Sequence, residues 1–208
     1  MIEGSDGHVL QSIQHLTALE EFSLYNYNGD GMELEWQGLR KLQYLTLNNH
    51  PKLASLPVGL QQATSLRNLV IRNCPSLTTL PEWICETISL QSLNISNCPN
   101  FTSLPALTSL QSLDISNCPN FTTLPALTSL QSLDIWDCPN LTSLPALTSL
   151  KTLDIRWCPS LVKSCKSQDW LARIENLRGD LAPPKEEDPG IEFHYAKQNY
   201  SYSPSLLV

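Results

Sequence analysis

Apolar residues recur along this chain in one frame. Leu110, Leu113, Ile115 and Cys118 are followed twenty residues later by Leu130, Leu133, Ile135 and Cys138, and then by Leu150, Leu153, Ile155 and Cys158. The same frame runs upstream through Leu90, Leu93, Ile95, Cys98, through Leu66, Leu69, Ile71, Cys74, through Leu42, Leu45, Leu47, His50, and begins at Leu19, Phe22, Leu24, Tyr27. Seven units result, spaced by 23 to 24 residues early and by 20 later. Within each unit the fourth and sixth positions are apolar and the residues between them are mostly polar. That alternation is the signature of a short strand with one buried face. A single such strand cannot bury its apolar face alone, so the units must stack. Phe121, Leu124 and Leu127 add core positions from the segment that returns to the next strand. Pro119 and Pro125 keep that return extended and exclude a long helix. The longer units, such as the one holding PEWICETIS, have room for one short helical turn.

The consensus LxxLxLxx(N/C)xxL is that of leucine-rich repeats. The predicted fold is therefore an α/β leucine-rich-repeat solenoid. It has a curved parallel sheet of about seven short strands on the concave face and an extended or 3-10 convex side. Residues 1–162 form the solenoid. After Pro159 the pattern breaks, and Trp170, Leu171, Ile174 and Leu177 follow at i, i+1, i+4 and i+7. That spacing predicts an amphipathic C-terminal capping helix over 163–178, with Ser167 or Asp169 as N-cap. The tail from 179 to 208 reads as loosely ordered, and Arg178-Gly179-Asp180 within it as a chance tripeptide. The chain opens in the middle of a return segment, HVLQSIQHLTALEEF, as though further repeats preceded it.

The outward strand positions form three columns. The third position reads Glu21, Tyr44, Asn68, Ser92, Ser112, Ser132, Thr152; the fifth reads Ser23, Thr46, Val70, Asn94, Asp114, Asp134, Asp154; the seventh reads Tyr25, Asn48, Arg72, Ser96, Ser116, Trp136, Arg156. Asp114, Asp134 and Asp154 stack like charges on adjacent strands, which costs stability. Duplication of one repeat explains them, and so does an acidic stripe awaiting a basic partner. Trp136, Asp137, Arg156 and Trp157 cluster near the carboxy end, and tryptophan and arginine dominate binding hot spots. Trp157 has a competing role, packing under the terminal helix. Arg72 and the tyrosines Tyr25 and Tyr44 complete the candidate protein-binding set, with Tyr27 and His50 beside the tyrosines as a second, amino-proximal patch.

Composition narrows the function. The formal net charge is −7 and no basic stripe is present, which excludes nucleic acid and anionic membranes as expected partners. No run reaches the roughly 18 apolar residues of a membrane span, and the first residues lack a basic n-region and an apolar h-region. Seven cysteines, most at one repeat position, point to reduced thiols in the cytoplasm, with the nucleus as the alternative. The sequons at Asn94, Asn100, Asn120 and Asn140 then follow from repetition of an Asn-x-Ser/Thr unit. The cysteine column lies in an apolar turn and has no histidine within its units, so it reads as structural and not as a metal or redox ladder. His8, His15, His50 and His194 have no Ser or Cys partner at a recognised spacing. No catalytic, cofactor-binding or metal site is expected, and no enzyme activity.

The units of form LxxLxIxxCPxLxxLP, seen in GLQQATSLRNLVIRNCPSLTTLPEWICETISLQSLNISNCPNFTSLP, resemble the carboxy-terminal repeats of plant intracellular nucleotide-binding leucine-rich-repeat disease-resistance proteins of the coiled-coil class. The closing CPSLVKSCKSQDWLARIENL, with Cys165, Asp169 and Trp170, is similar to the way those receptors end. The likeness covers roughly residues 8–177. It implies a recognition or autoinhibitory region of a plant immune receptor, whose partner is a pathogen effector, a guarded host protein or the receptor's own switch domain. The chain departs from the family in lacking GxxxxGK[ST], so it cannot hold ATP in a P-loop, and in continuing past residue 178. A truncated paralogue or isolated recognition domain fits that departure. A non-immune scaffold or regulatory subunit is the alternative; an artificial consensus array conflicts with the degenerate early units. Bacterial effector ubiquitin ligases also carry 20-residue repeats, but too little chain follows the last unit here to house Cys165 in a catalytic domain.

Overall fold

The structure is a computed structural model, and it describes residues 2–3, 16–29, 36–166 and 169–181. Among the described residues, nine strands form one parallel sheet in sequence order. They are β1 (Ile2–Glu3), β2 (Glu21–Tyr25), β3 (Tyr44–Asn48), β4 (Asn68–Arg72), β5 (Ser92–Ser96), β6 (Ser112–Ser116), β7 (Ser132–Trp136), β8 (Thr152–Arg156) and β9 (Asn176–Gly179). The seven middle strands span the third to seventh positions of the seven repeat units. Two more than expected lie at the ends.

Register is maintained repeat on repeat: Leu93, Leu113, Leu133 and Leu153 align, as do Ile95, Ile115, Ile135 and Ile155. Both rows are buried, and with the first-position leucines they make one continuous core. The twelfth-position residues Leu53, Leu77, Phe101, Phe121, Leu141 and Leu161 line its far side, all buried. Phe101 and Phe121 stack with centroids 5.8 Å apart.

The returns follow the proline logic. Pro57 and Pro81 stand before 3-10 turns at Val58–Gln62 and Glu82–Glu86, in two of the longer units. The 20-residue units are extended on this side, where Ser103 bridges Thr123 in parallel and also bridges Thr79 of the preceding, longer unit.

Each of the seven middle strands exits through a left-handed residue. Asn26, Asn49, Asn73, Asn97, Asn117, Asp137 and Trp157, the eighth positions, all have φ between 51° and 61°. Asparagine tolerates this region better than other non-glycine residues. The asparagine side chains also link successive turns, Asn97 donating to Asn73 at 3.0 Å and Asn117 to Asn97 at 2.9 Å.

The cysteine column is part of the same turn. Cys74, Cys98, Cys118, Cys138 and Cys158 are buried and free. Each thiol donates to the carbonyl two residues earlier, at 3.3 to 3.5 Å, so it ties down the last carbonyl of its own strand. Burial pushes the Cys118 and Cys138 thiols up to about 12 and Cys165 up to about 11, which keeps them protonated donors. Among the described residues no group of three His, Cys, Asp or Glu is placed to hold a metal ion.

The carboxy end differs from the expected single helix over 163–178. An α-helix, α1, spans Pro159–Cys165 with proline in its first turn; a 3-10 turn spans Asp169–Arg173; β9 then takes Asn176–Gly179 back into the sheet. The reason is the open edge of β8, whose unpaired peptide groups are costly to leave beside a core. Leu177 stands in register with Leu153, and the Asp180 N–H reaches the Ile155 carbonyl at 2.7 Å. Gly179 has φ +69°, and a Cβ there would lie 2.2 Å from the Ile155 carbonyl oxygen, so this turn requires glycine. The Arg178-Gly179-Asp180 stretch thus belongs to the cap and not to a loose tail. Residues 182–208, the rest of the expected tail, and Ser167 lie outside the described residues. Trp170, Leu171, Ile174 and Leu177 pack on the core as partly buried residues, so the apolar set covers the solenoid end in a different local structure. Among the described residues no helix is long and apolar enough to cross a membrane.

Candidate protein-binding face

The outward strand residues lie on one sheet face, and most are small. Ser92, Ser112 and Ser132 are half-buried, as is Ser116, and Ser96 is buried. Above this low floor rise Trp136, Arg156 and Arg72, all exposed.

The carboxy-end residues form one cluster. Trp136 and Trp157 have ring centroids 5.2 Å apart, tilted by 54°, and the Arg156 guanidinium carbon lies 5.9 Å from the Trp136 centroid. Arg156 is held by Asp154 through two hydrogen bonds, Nε to Oδ1 at 2.9 Å and Nη2 to Oδ2 at 2.7 Å. A forked pair of this kind fixes the guanidinium plane. Trp136 is 43% exposed and Trp157 61%. Trp157 therefore does not pack under the cap. With Pro159, Val162, Lys163, Lys166 and Asp180 it lines an open cavity of about 480 Å³.

Trp157 stands where five other units carry asparagine, at φ 55°. A bulky side chain in that region costs about 1–2 kcal/mol, and such strain concentrates at functional positions. Asp180 helps to hold it, its Oδ2 accepting the Trp157 N–H at 2.7 Å. Asp137 occupies the same position one unit earlier, exposed, its N–H donating to the Arg156 carbonyl at 3.0 Å. It lies at the strand exit beside the cluster, not within the columns.

Asp114, Asp134 and Asp154 stand in register on β6, β7 and β8. Asp114 accepts from the Asn94 amide at 2.8 Å, and Arg72 donates to the other end of Asn94 at 3.5 Å. Burial raises the Asp114 carboxyl above its ordinary value, against the pull of Arg72 and Asn94. Burial raises Asp134 too, reinforced by Asp114 and Asp154 and opposed by Arg178 and Arg156.

The residues of the amino-proximal patch do not all meet. Tyr44 is exposed and opens β3, whereas Tyr25 is half-buried and closes β2, about 13 Å away along the strand direction at 3.3 Å per residue. Tyr27 packs against the core, and its ring lies 6.3 Å from His50. His50 is buried, with Nε2 3.0 Å from the Leu24 carbonyl and Nδ1 3.3 Å from the Tyr27 carbonyl. It ties two turns together as the ninth-position residue.

Burial lowers the His50 pKa below 6.5, and the two carbonyls, which a charged ring would both engage, oppose that shift. A histidine with a depressed folded pKa contributes stability above its unfolded value that is lost as pH falls through 6.5 toward the folded value. Urea midpoints at pH 7.5 and 5.5 are expected to show a larger acid loss in the wild type than in His50→Asn. Equal losses would remove His50 from the account.

Comparison with known proteins agrees with this architecture. The family described as R13L1/DRL21 LRRs matches residues 58–118, and the general leucine-rich-repeat family matches residues 109–128. This is a leucine-rich-repeat region. No curated protein matches the chain. Among solved structures, the leucine-rich-repeat domain of the type III effector XopL is similar at 26% identity and a TM-score of 0.53, covering 88% of this chain and 73% of that one. The repeat region is a scaffold of the kind that binds proteins.

Sequence reasoning placed the columns but missed the left-handed eighth position. Its signal was present as asparagine recurring before the cysteine or histidine, and it makes the Trp157 substitution conspicuous.

Proposed function

We propose that this repeat region is the recognition or autoinhibitory part of a plant intracellular immune receptor, binding protein through the carboxy-terminal end of its concave face. The observation that carries the binding reading is the exposed Trp136–Trp157 pair, braced by Arg156, on a face otherwise floored by serine. A rigid aromatic pair beside a fixed guanidinium gives large contact area at small entropic cost. The match to R13L1/DRL21-type repeats supports the immune assignment. The partner is then a pathogen effector, a guarded host protein or the receptor's switch domain, met in the cytoplasm or nucleus. Asp137 flanks that contact, while Tyr25, Tyr44 and Arg72 extend it toward the amino end. Neither catalysis nor nucleic acid enters this reading.

The similarity to the XopL domain favours a second reading, a scaffold without immune function. Capture from plant extract separates them: immune-receptor partners on the immobilised chain support the first, and a set without them the second. Trp136→Ala combined with Arg156→Ala is expected to weaken capture at least tenfold, since single hot-spot residues are each worth about 2 kcal/mol or more. Circular dichroism should be unchanged. Undiminished capture by a folded variant would overturn the carboxy-terminal binding site.

A further inference from the structure

The acidic row is balanced at its ends and bare in its middle. On the carboxy side, Arg156 clasps Asp154 with both nitrogens. On the amino side, Arg72 reaches Asn94, which in turn satisfies Asp114 Oδ2. Asp134, half-buried between Asp114 and Asp154, has no hydrogen-bond or ion-pair partner among the described residues. Arg178 and Arg156 act on it only at longer range.

The surroundings of this gap are aromatic on one side and small on the other. Trp136 follows Asp134 by two residues on β7 and shares its face, about 7 Å along the strand. Its register partner on β6 is Ser116, followed on β5 by Ser96, so the side of Trp136 away from Arg156 meets low side chains. Between Arg72, which reaches from β4 to Asn94 on β5, and Trp136 on β7, the low serines Ser96 and Ser116 floor a shallow trough, with Asp114 and Asp134 two positions earlier on β6 and β7.

Resting on the reading of this face as a protein-binding surface, we propose that the trough receives an arginine side chain from an extended segment of the partner, its guanidinium bridging Asp114 and Asp134 and its stem lying along Trp136. Three considerations select that occupant. Neighbouring parallel strands are about 4.8 Å apart, so two in-register carboxylates offer acceptors that a rigid planar fork bridges with a fixed geometry, which the rotatable donors of an ammonium do not impose. An exposed tryptophan beside the carboxylates favours a cation that also stacks. The three aspartates are not placed as a metal-holding group, which leaves an organic cation with reach. Burial raises both carboxyls, and at Asp134 the neighbouring Asp114 and Asp154 add to the rise, a repulsion that an incoming cation relieves. Arg156 already makes the corresponding forked contact to Asp154 within the chain.

The test uses the full chain and blocked pentapeptides Gly-Ser-Xaa-Ser-Gly in which the central residue is arginine, lysine or glutamate. Binding is followed by the Trp136 indole N–H resonance. The arginine peptide is expected to shift that resonance saturably, the lysine peptide to bind several-fold more weakly and the glutamate peptide to leave it unmoved. Asp134→Asn and Asp114→Asn should each weaken the arginine peptide at least tenfold, with thermal melting midpoints no lower than wild type. Equal response to arginine and lysine, a matching shift from calcium chloride, or unweakened binding by Asp134→Asn would overturn the proposal. If the arginine peptide fails while the Trp136→Ala, Arg156→Ala variant still loses partner capture, the arginine trough is wrong and the binding face stands.

Discussion

Phe121→Ala is expected to destabilise the solenoid by about 3–5 kcal/mol, the range for emptying a buried phenylalanine site. Phe121 is fully buried and stacks on Phe101 from the preceding unit. Its removal therefore takes away a packing partner as well as its own apolar area. The site cannot close easily over the gap, because the strands on either side are held in one-to-one register by continuous ladders. Stability in a solenoid is close to a sum of units and their nearest-neighbour interfaces, so the loss should weaken the 101–121 and 121–141 interfaces most. The equivalent residue in the next unit is Leu141, also fully buried. Phe121→Leu is accordingly expected to cost about 1.5 kcal/mol or less, as volume-tolerant swaps do. Equilibrium urea unfolding of the two variants checks this. Equal effects of alanine and leucine would show that the Phe101 stack, and not the filled volume, carries the stabilisation.

The repeat frame made most of this architecture legible. Apolar residues at positions four and six, separated by one polar residue, specify which side of each strand is buried, and the burial of Leu113, Ile115, Leu133 and Ile135 follows from that alternation. The columns of the binding face follow by the same geometry, which is why Asp114, Asp134 and Asp154 could be placed side by side before any coordinates. The distance between Tyr25 and Tyr44 was readable in the same way, since they occupy the seventh and third positions, yet grouping them by residue type obscured it. The cap was not legible. Trp170, Leu171, Ile174 and Leu177 satisfy a helical period, and nothing local to 163–178 reveals that the edge of β8 needs a parallel partner. Nor does a one-dimensional pattern show that Trp157 must take a left-handed backbone. That requirement belongs to the position, imposed by the six equivalent turns stacked before it.

Ending the chain after Cys158 is expected to cost on the order of 5 kcal/mol relative to a chain ended after Leu181, from the apolar burial alone. Leu161, Cys165 and Leu181 are buried in the cap, and burying one leucine contributes about 1.5–3 kcal/mol. The backbone adds to this. Without β9 the outer edge of β8 loses its register partners from Thr152 to Ile155, and an unpaired edge beside an apolar core is a template for association between chains. The shortened chain should therefore unfold at lower urea and sediment as aggregates, whereas the chain ended after Leu181 should stay dispersed. Asp180→Ala isolates one thread of the same interface. It removes the acceptor for the Trp157 N–H, a contact worth about 1 kcal/mol at a solvent-facing position, and it releases the strained turn that presents Trp157. Amide exchange at Trp157 should accelerate while that at Ile135, deep in β7, is unchanged. If exchange at both sites rises together, the cap and the middle of the solenoid unfold as one unit, and the cap's contribution cannot be the separable end term that the nearest-neighbour picture requires.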